Sequence, residues 1–116
     1  MALTINYLYP VVGTIPPTAA QAALVNTIVA SIVFDTDAET LATITHNWAF
    51  ATNGAAPNTG QNFPEVILVP SALNTGLPFL AVSGWSTNTV AVTKTSLAGG
   101  SCTVTAYLHR PHSIVL

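Results

Sequence analysis

From Thr27 to Phe34 the chain alternates, with Ile28, Ala30, Ile32 and Phe34 on one side and Thr27, Val29, Ser31 and Val33 on the other. A two-residue period marks a half-buried β-strand, and the β-branched residues of this run favour the same state. The alternation recurs at Leu3–Tyr9 and at Thr40–Phe50, where Ala42, Ile44, His46, Trp48 and Phe50 share one phase. Phe63–Pro70 is nearly all apolar and bounded by prolines, and Pro78–Ser83 reads as a further short strand. Near the C-terminus, Val90, Val92 and Lys94 share one side of a run that starts at Thr89, and Cys102, Val104, Ala106 and Leu108 share one side of the next. With the small residues Ala98-Gly99-Gly100-Ser101 between them, these two runs predict a β-hairpin over Trp85–Arg110, ended by Pro111, which has no N–H for a ladder.

Turn and loop signals separate the runs: Pro10, Gly13 and Pro16-Pro17, then Asp35–Glu39, Ala51–Asn62 with Gly54, Pro57 and Gly60, and Asn74-Thr75-Gly76. The alanine-rich start of Ala19–Phe34 supports one helical turn before the strand at Thr27. A transmembrane helix needs about 20 apolar residues, and this stretch is shorter and broken by Gln21, Asn26, Thr27 and Ser31. About seven or eight short strands without a sustained helical period predict one all-β domain over 1–116, an antiparallel β-sandwich or jelly roll. Residues 1–17, extended and punctuated by proline, are expected either as an arm across a neighbouring subunit or as the first edge strand. No basic stretch precedes an apolar one at the amino terminus, so the expectation is a chain made in the cytoplasm without a signal peptide.

Charge changes the picture more than length does. Asp, Glu, Lys and Arg make up 5% of the residues, where about 25% is usual. Half of the residues are hydrophobic, and the remaining polarity is mostly Thr, Ser and Asn. Monomers keep their surfaces soluble with mixed charge, whereas obligate interfaces are apolar and charge-depleted. The composition therefore predicts a homo-oligomer, with a Thr/Ser/Asn-coated extracellular domain as the other reading. Lys94 and Arg110 are the whole cationic complement, too little for nucleic acid or an anionic membrane surface. The single cysteine, Cys102, excludes an intrachain disulfide, and its phase with Val104 and Leu108 predicts a buried thiol.

Candidate chemistry is sparse. His46, His109 and His112 are the histidines, and His109-x-x-His112 has ligand-like spacing, but Pro111 lies between them and no second pair exists. Asp35-Thr36-Asp37-Ala38-Glu39 opens like a calcium loop, yet Thr40 stands where the loop needs Gly and His46 where it needs Glu, so a solvated turn is expected. Ser101 or Cys102 with His109 lacks a nucleophile elbow, and Gly99-Gly100-Ser101 has no Lys and no helix to make a phosphate loop. The sequence thus predicts no enzyme, no cofactor and no metal. Trp48 and Trp85 are expected as core or interface anchors, or else as a sugar-stacking platform beside the 51–62 loop. Arg110 is expected to pair across a subunit boundary with Asp35, Asp37 or Glu65, or to cap a strand end. The predicted contact residues are Tyr7, Tyr9, Trp48, Trp85, Arg110 and His112.

The run W-S-T-N-T-V-A-V-T-K-T at Trp85–Thr95, the Gly99-Gly100-Ser101 turn, the closing R-P-H-S at Arg110–Ser113 and T-H-N-W at Thr45–Trp48 resemble the small virion proteins of tailed phages. The resemblance covers the last third of the chain and one earlier strand, and no catalytic or ligand signature defines the group. It implies a capsid decoration (cement) protein on the outer lattice of a phage head, a β-rich trimer or dimer in contact with the major capsid protein. It carries no functional residue onto this chain.

Overall fold

The computed structural model describes residues 3–34, 40–49, 64–73, 79–95 and 102–110. Their elements are β1 (Thr4–Tyr9), α1 (Ala19–Ala22), β2 (Thr27–Phe34), β3 (Leu41–Thr45), β4 (Glu65–Leu73), β5 (Phe79–Trp85), β6 (Thr89–Thr95) and β7 (Cys102–His109). The strands form two antiparallel sheets, a four-stranded one in the order β1-β2-β7-β4 and a three-stranded one in the order β3-β6-β5. This is the β-sandwich expected of an alternating, turn-punctuated sequence. β2 pairs with β7 in the large sheet and β3 with β6 in the small one, so β2 and β3, and likewise β6 and β7, are consecutive strands in different layers.

The inward faces supply the core. Ile28, Ala30, Ile32 and Phe34 of β2 meet Val104, Ala106, Leu108 and Cys102 of β7 within one sheet, and Ala42, Ile44, Val90 and Val92 come from the other. Burying each large aliphatic side chain contributes about 1.5–3 kcal/mol, so the face shared by β2 and β7 is the energetic centre. Ahead of β2 the short helix α1 is closed by a reciprocal cap. The Thr18 hydroxyl accepts the Gln21 N–H, and the Gln21 side chain accepts the Thr18 N–H. That cap turns Ala22 into the core.

The predicted C-terminal hairpin is not formed. β6 belongs to the three-stranded sheet and β7 to the four-stranded one, so these two consecutive strands lie in different layers. Alternation tells only that each run has a buried face, and two strands facing each other across a core satisfy it as well as two paired neighbours. Six linking residues reach up to about 20 Å, enough to span sheets that pack about 10 Å apart. The hairpin that does form is β5–β6, closed at Ser86–Asn88, where Thr89 returns its N–H to the Ser86 hydroxyl and its carbonyl to the Ser86 N–H.

Other boundaries move for local reasons. The 1–17 segment supplies β1, the edge strand of the four-stranded sheet. Thr40–Phe50 keeps its buried phase through Ala42, Ile44, His46 and Trp48, but strand pairing stops at Thr45. Asn47 and Ala49 adopt left-handed backbone, φ 57° and 61°, a conformation that ends regular β pairing. The Asn88 side chain and carbonyl hold it there: its C=O accepts the N–H of His46 and Asn47, and its Oδ1 accepts the N–H of Ala49. β4 continues past Pro70 to Leu73, which an outermost strand with a register shift tolerates. The acidic segment 35–39 and the 51–62 loop lie outside the described residues.

The two faces of the large sheet predict opposite responses to truncation. Ile32 is 0% exposed and Ile67 62%. Ile32→Ala should lower the urea unfolding free energy by about 2–5 kcal/mol, and Ile67→Ala, compared with the parent on the dissociated chain at low concentration, should stay within about 0.5 kcal/mol.

Candidate functional site

One end of the sandwich carries a junction of His46, Trp48 and Arg110, three of the residues singled out from the sequence. Trp48 follows β3 in the small sheet, and its indole N–H donates to the Ala22 carbonyl at 2.7 Å, reaching the segment that leads into β2 in the large sheet. Its backbone N–H donates to Nδ1 of His46 at 2.9 Å, and the two rings stack with centroids 5.3 Å apart. Arg110, just beyond β7, places its guanidinium 5.3 Å from the centre of the Trp48 ring. The same guanidinium donates to the Val25 carbonyl at 2.8 Å and reaches the Ala23 carbonyl and Asn26 Oδ1 at 3.4 Å. The Arg110 N–H donates to the Asn26 carbonyl, the Asn47 amide to the Pro17 carbonyl, and the Thr45 N–H to the Tyr7 hydroxyl. The junction thus ties the 17–26 segment and both sheets together.

An acceptor role at Nδ1 puts the proton of the neutral His46 ring on Nε2. Burial disfavours the charged ring and lowers its pKa from 6.5 to about 4. Nothing in this arrangement presents a nucleophile or a general base to solvent. The assembly is a fastener.

The predicted contact residues divide accordingly. Tyr7 and Trp48 are buried in the core of the chain; for Trp48 this is the core alternative of its expected anchor role, whereas Tyr7 was expected only as a contact residue. Tyr7 is inward because it shares the phase of Ile5, and its hydroxyl finds a backbone partner on β3. Within the chain Arg110 is held by backbone carbonyls and lies against an indole; Asp35 and Asp37 lie outside the described residues. Trp48 has too little open ring face to stack on a sugar, and Trp85 is 37% exposed at the end of β5. Tyr9 is exposed on β1, and His112 lies outside the described residues.

His109 sits on the outer face, with Nδ1 3.5 Å from the Thr27 hydroxyl and Glu65 opposite it on β4. Among the described residues no group of three or more His, Cys, Asp or Glu could hold a metal ion, and no helix is long and apolar enough to cross a membrane. Cys102 is buried, as its phase predicts; burial pushes the thiol up, and nearby Lys94 partly opposes that. Lys94 itself was missed. It continues the inward phase of Val90 and Val92, is buried, and sets its ammonium 5.4 Å from the centre of the Phe34 ring. Its alternation phase was the available signal.

One row of the outer surface is apolar. On the outer side of the four-stranded sheet, Tyr9, Val29, Tyr107 and Ile67 stand opposite one another across all four strands. Val69 continues the patch one row on, beside Thr105, and Val12, Ile15 and Leu24 project from the β1–β2 connection. The alternation that found the core also assigns these residues to the outside; only their pairing into one row required the register.

Two measurements check the junction. Trp48→Phe keeps the ring but strips the Ala22 carbonyl of its donor, and should cost about 1–3 kcal/mol in chemical unfolding. His46 gives a pH dependence whose sign is fixed. Its folded pKa of about 4 lies below the unfolded 6.5, so the unfolded chain binds more protons between those values and stability falls as pH drops through the window. The loss should reach about 2 kcal/mol at pH 5 relative to pH 8, and His46→Gln should flatten the slope of stability against pH over that range.

No protein-family model, no curated protein and no solved structure matches this chain.

Proposed function

We propose that the chain is a non-enzymatic structural protein of a virion, a decoration protein that assembles with copies of itself and stabilises a capsid by bridging its subunits. The observation that carries this reading is the apolar outer row Tyr9-Val29-Tyr107-Ile67 on the large sheet. Contiguous apolar surface of this kind marks a protein contact, and here no charge interrupts it. The whole stretch from Leu3 to Phe34, which supplies β1, β2 and the exposed Val12, Ile15 and Leu24, contains no charged residue.

The cations support the same reading from the other side. Lys94 is buried and Arg110 is engaged by carbonyls and Trp48, so neither offers a free positive face to phosphate. A lattice protein on the outside of a shell, held by apolar contact and Thr/Ser hydrogen bonds, fits that surface. One packed against nucleic acid does not.

Sedimentation velocity tests the proposal. The isolated chain should sediment as an oligomer, and Tyr107→Glu combined with Ile67→Glu should shift it toward monomer by at least about tenfold in dissociation constant, with the far-UV circular dichroism of the folded chain retained. The same pair of substitutions should remove the chain from purified particles. A parent chain that stays monomeric at every attainable concentration would overturn the reading.

A further inference from the structure

The connection that leads into β2 is held to the rest of the chain at few points. From Pro17 to Asn26 the buried side chains are Pro17 and Ala22, Val25 is half-buried, and Leu24 is exposed. Side chains this small contribute little apolar burial. Among the described residues, three supply the hydrogen bonds that tie this segment to the body. The Asn47 amide donates to the Pro17 carbonyl and the Trp48 indole to the Ala22 carbonyl. Arg110 donates to the carbonyls of Ala23, Val25 and Asn26 and to Asn26 Oδ1. The other bonds of the segment are internal, in the Thr18–Gln21 cap and the turn of α1.

Trp48 in turn depends on His46. Nδ1 of His46 accepts the Trp48 N–H at 2.9 Å, and the imidazole stacks on the indole. An imidazolium carries a proton on both ring nitrogens. Charging His46 therefore sets two N–H groups against each other, and it adds a second cation beside an indole that already lies against Arg110. The backbone there yields more readily than a ladder would. Strand pairing ends at Thr45, and Ala49 is held in left-handed backbone, disfavoured for alanine, by its bond to Asn88 Oδ1.

The described charged and titratable groups around the ring do not compensate. Arg110 approaches from beyond β7 and is a cation, and Tyr7 of β1 brings a hydroxyl that already accepts the Thr45 N–H. Glu65 of β4 and His109 of β7 stand opposite each other on the outer side of the large sheet, where Tyr9 and Tyr107 are exposed. Lys94 and Cys102 belong to the far ends of β6 and β7.

We propose that this junction is an acid-opened latch: protonation of His46 withdraws Trp48, and the 17–26 connection and Arg110 part from each other while both sheets stay formed. The direction agrees with the burial of the ring. Closed, His46 titrates at about 4, and released it returns to its ordinary 6.5. Opening thus takes up a proton between those values and is favoured as pH falls through them. A segment with little buried area and few bonds to the body opens below the free energy of global unfolding, so acid acts on it first. The latch is independent of the assembly reading, and no outcome of its test bears on that reading.

Native-state amide exchange followed by NMR at about pH 8 and about pH 5, corrected for intrinsic rates and repeated in sub-denaturing urea, tests the latch. The Trp48 and Arg110 amides, whose bonds cross the junction, should exchange through openings that urea leaves unchanged. The population of those openings should rise about thirtyfold at the lower pH. The Ile32 and Val104 amides should exchange only through rarer, urea-dependent openings at both pH values. His46→Gln keeps an acceptor and cannot be charged, so it should remove the rise in the junction openings, whereas His109→Gln should keep it. Should His46→Gln fail to fold, the parent supplies the check: the His46 ring and Trp48 indole resonances should shift together with pH while those of Ile32 and Val104 hold. Junction amides that open only with the sheets overturn the latch. So does a rise that survives His46→Gln or vanishes in His109→Gln, or a Trp48 signal that does not follow the His46 titration.

Discussion

The bond from the Trp48 indole to the Ala22 carbonyl, 2.7 Å long, fixes how the two layers of this sandwich meet. A sandwich with strands of this length has its core from alternating aliphatic residues, but a core by itself does not choose one stagger of two sheets. Trp48 leaves the small sheet, and Ala22 leads into β2 of the large one, so their bond sets the stagger at one end. Arg110 arrives from β7 and lies beside the same indole while satisfying carbonyls of the 23–26 turn. Three chain segments far apart in sequence therefore share one aromatic ring. His46 is the cost of the arrangement: it fills the space and accepts the Trp48 N–H only while neutral.

Much of this architecture was legible in the order of residues. The inward phases of β2, β3 and β7 emerge in the structure as written in the sequence, because burial on one face of a pleated strand imposes a period of two whatever the neighbours are. Thr27–Phe34 could be bounded to the residue for that reason. Pairing could not be read the same way. The runs at Thr89–Thr95 and Cys102–His109 are adjacent in sequence and equally alternating, yet they sit in different layers, since a linker of that length reaches across the core as readily as it turns within a sheet. The junction was hidden for a related reason. His46, Trp48 and Arg110 all stood out as unusual residues, but their convergence depends on the left-handed backbone at Asn47 and Ala49, which no periodicity announces.

The scarcity of charge gains meaning once the cations are placed. A buried Lys94 over Phe34 and an Arg110 spent on carbonyls mean that the described surface presents even less positive charge than the composition suggests. The described outer surface is made mostly of hydroxyl, amide and apolar groups. The proposed role on a capsid surface draws on that combination. A lattice contact repeated many times gains from a weak, uncharged, geometrically exact interface more than from a few strong ion pairs, which are salt-sensitive and tolerate misalignment.

The outer row of the large sheet is broad and flat, and side chains carry it: Tyr9, Val29, Tyr107 and Ile67 stand across its four strands and offer area without direction. A face of this kind suits contact between folded bodies, since it asks only for complementary apolar surface and not for backbone register.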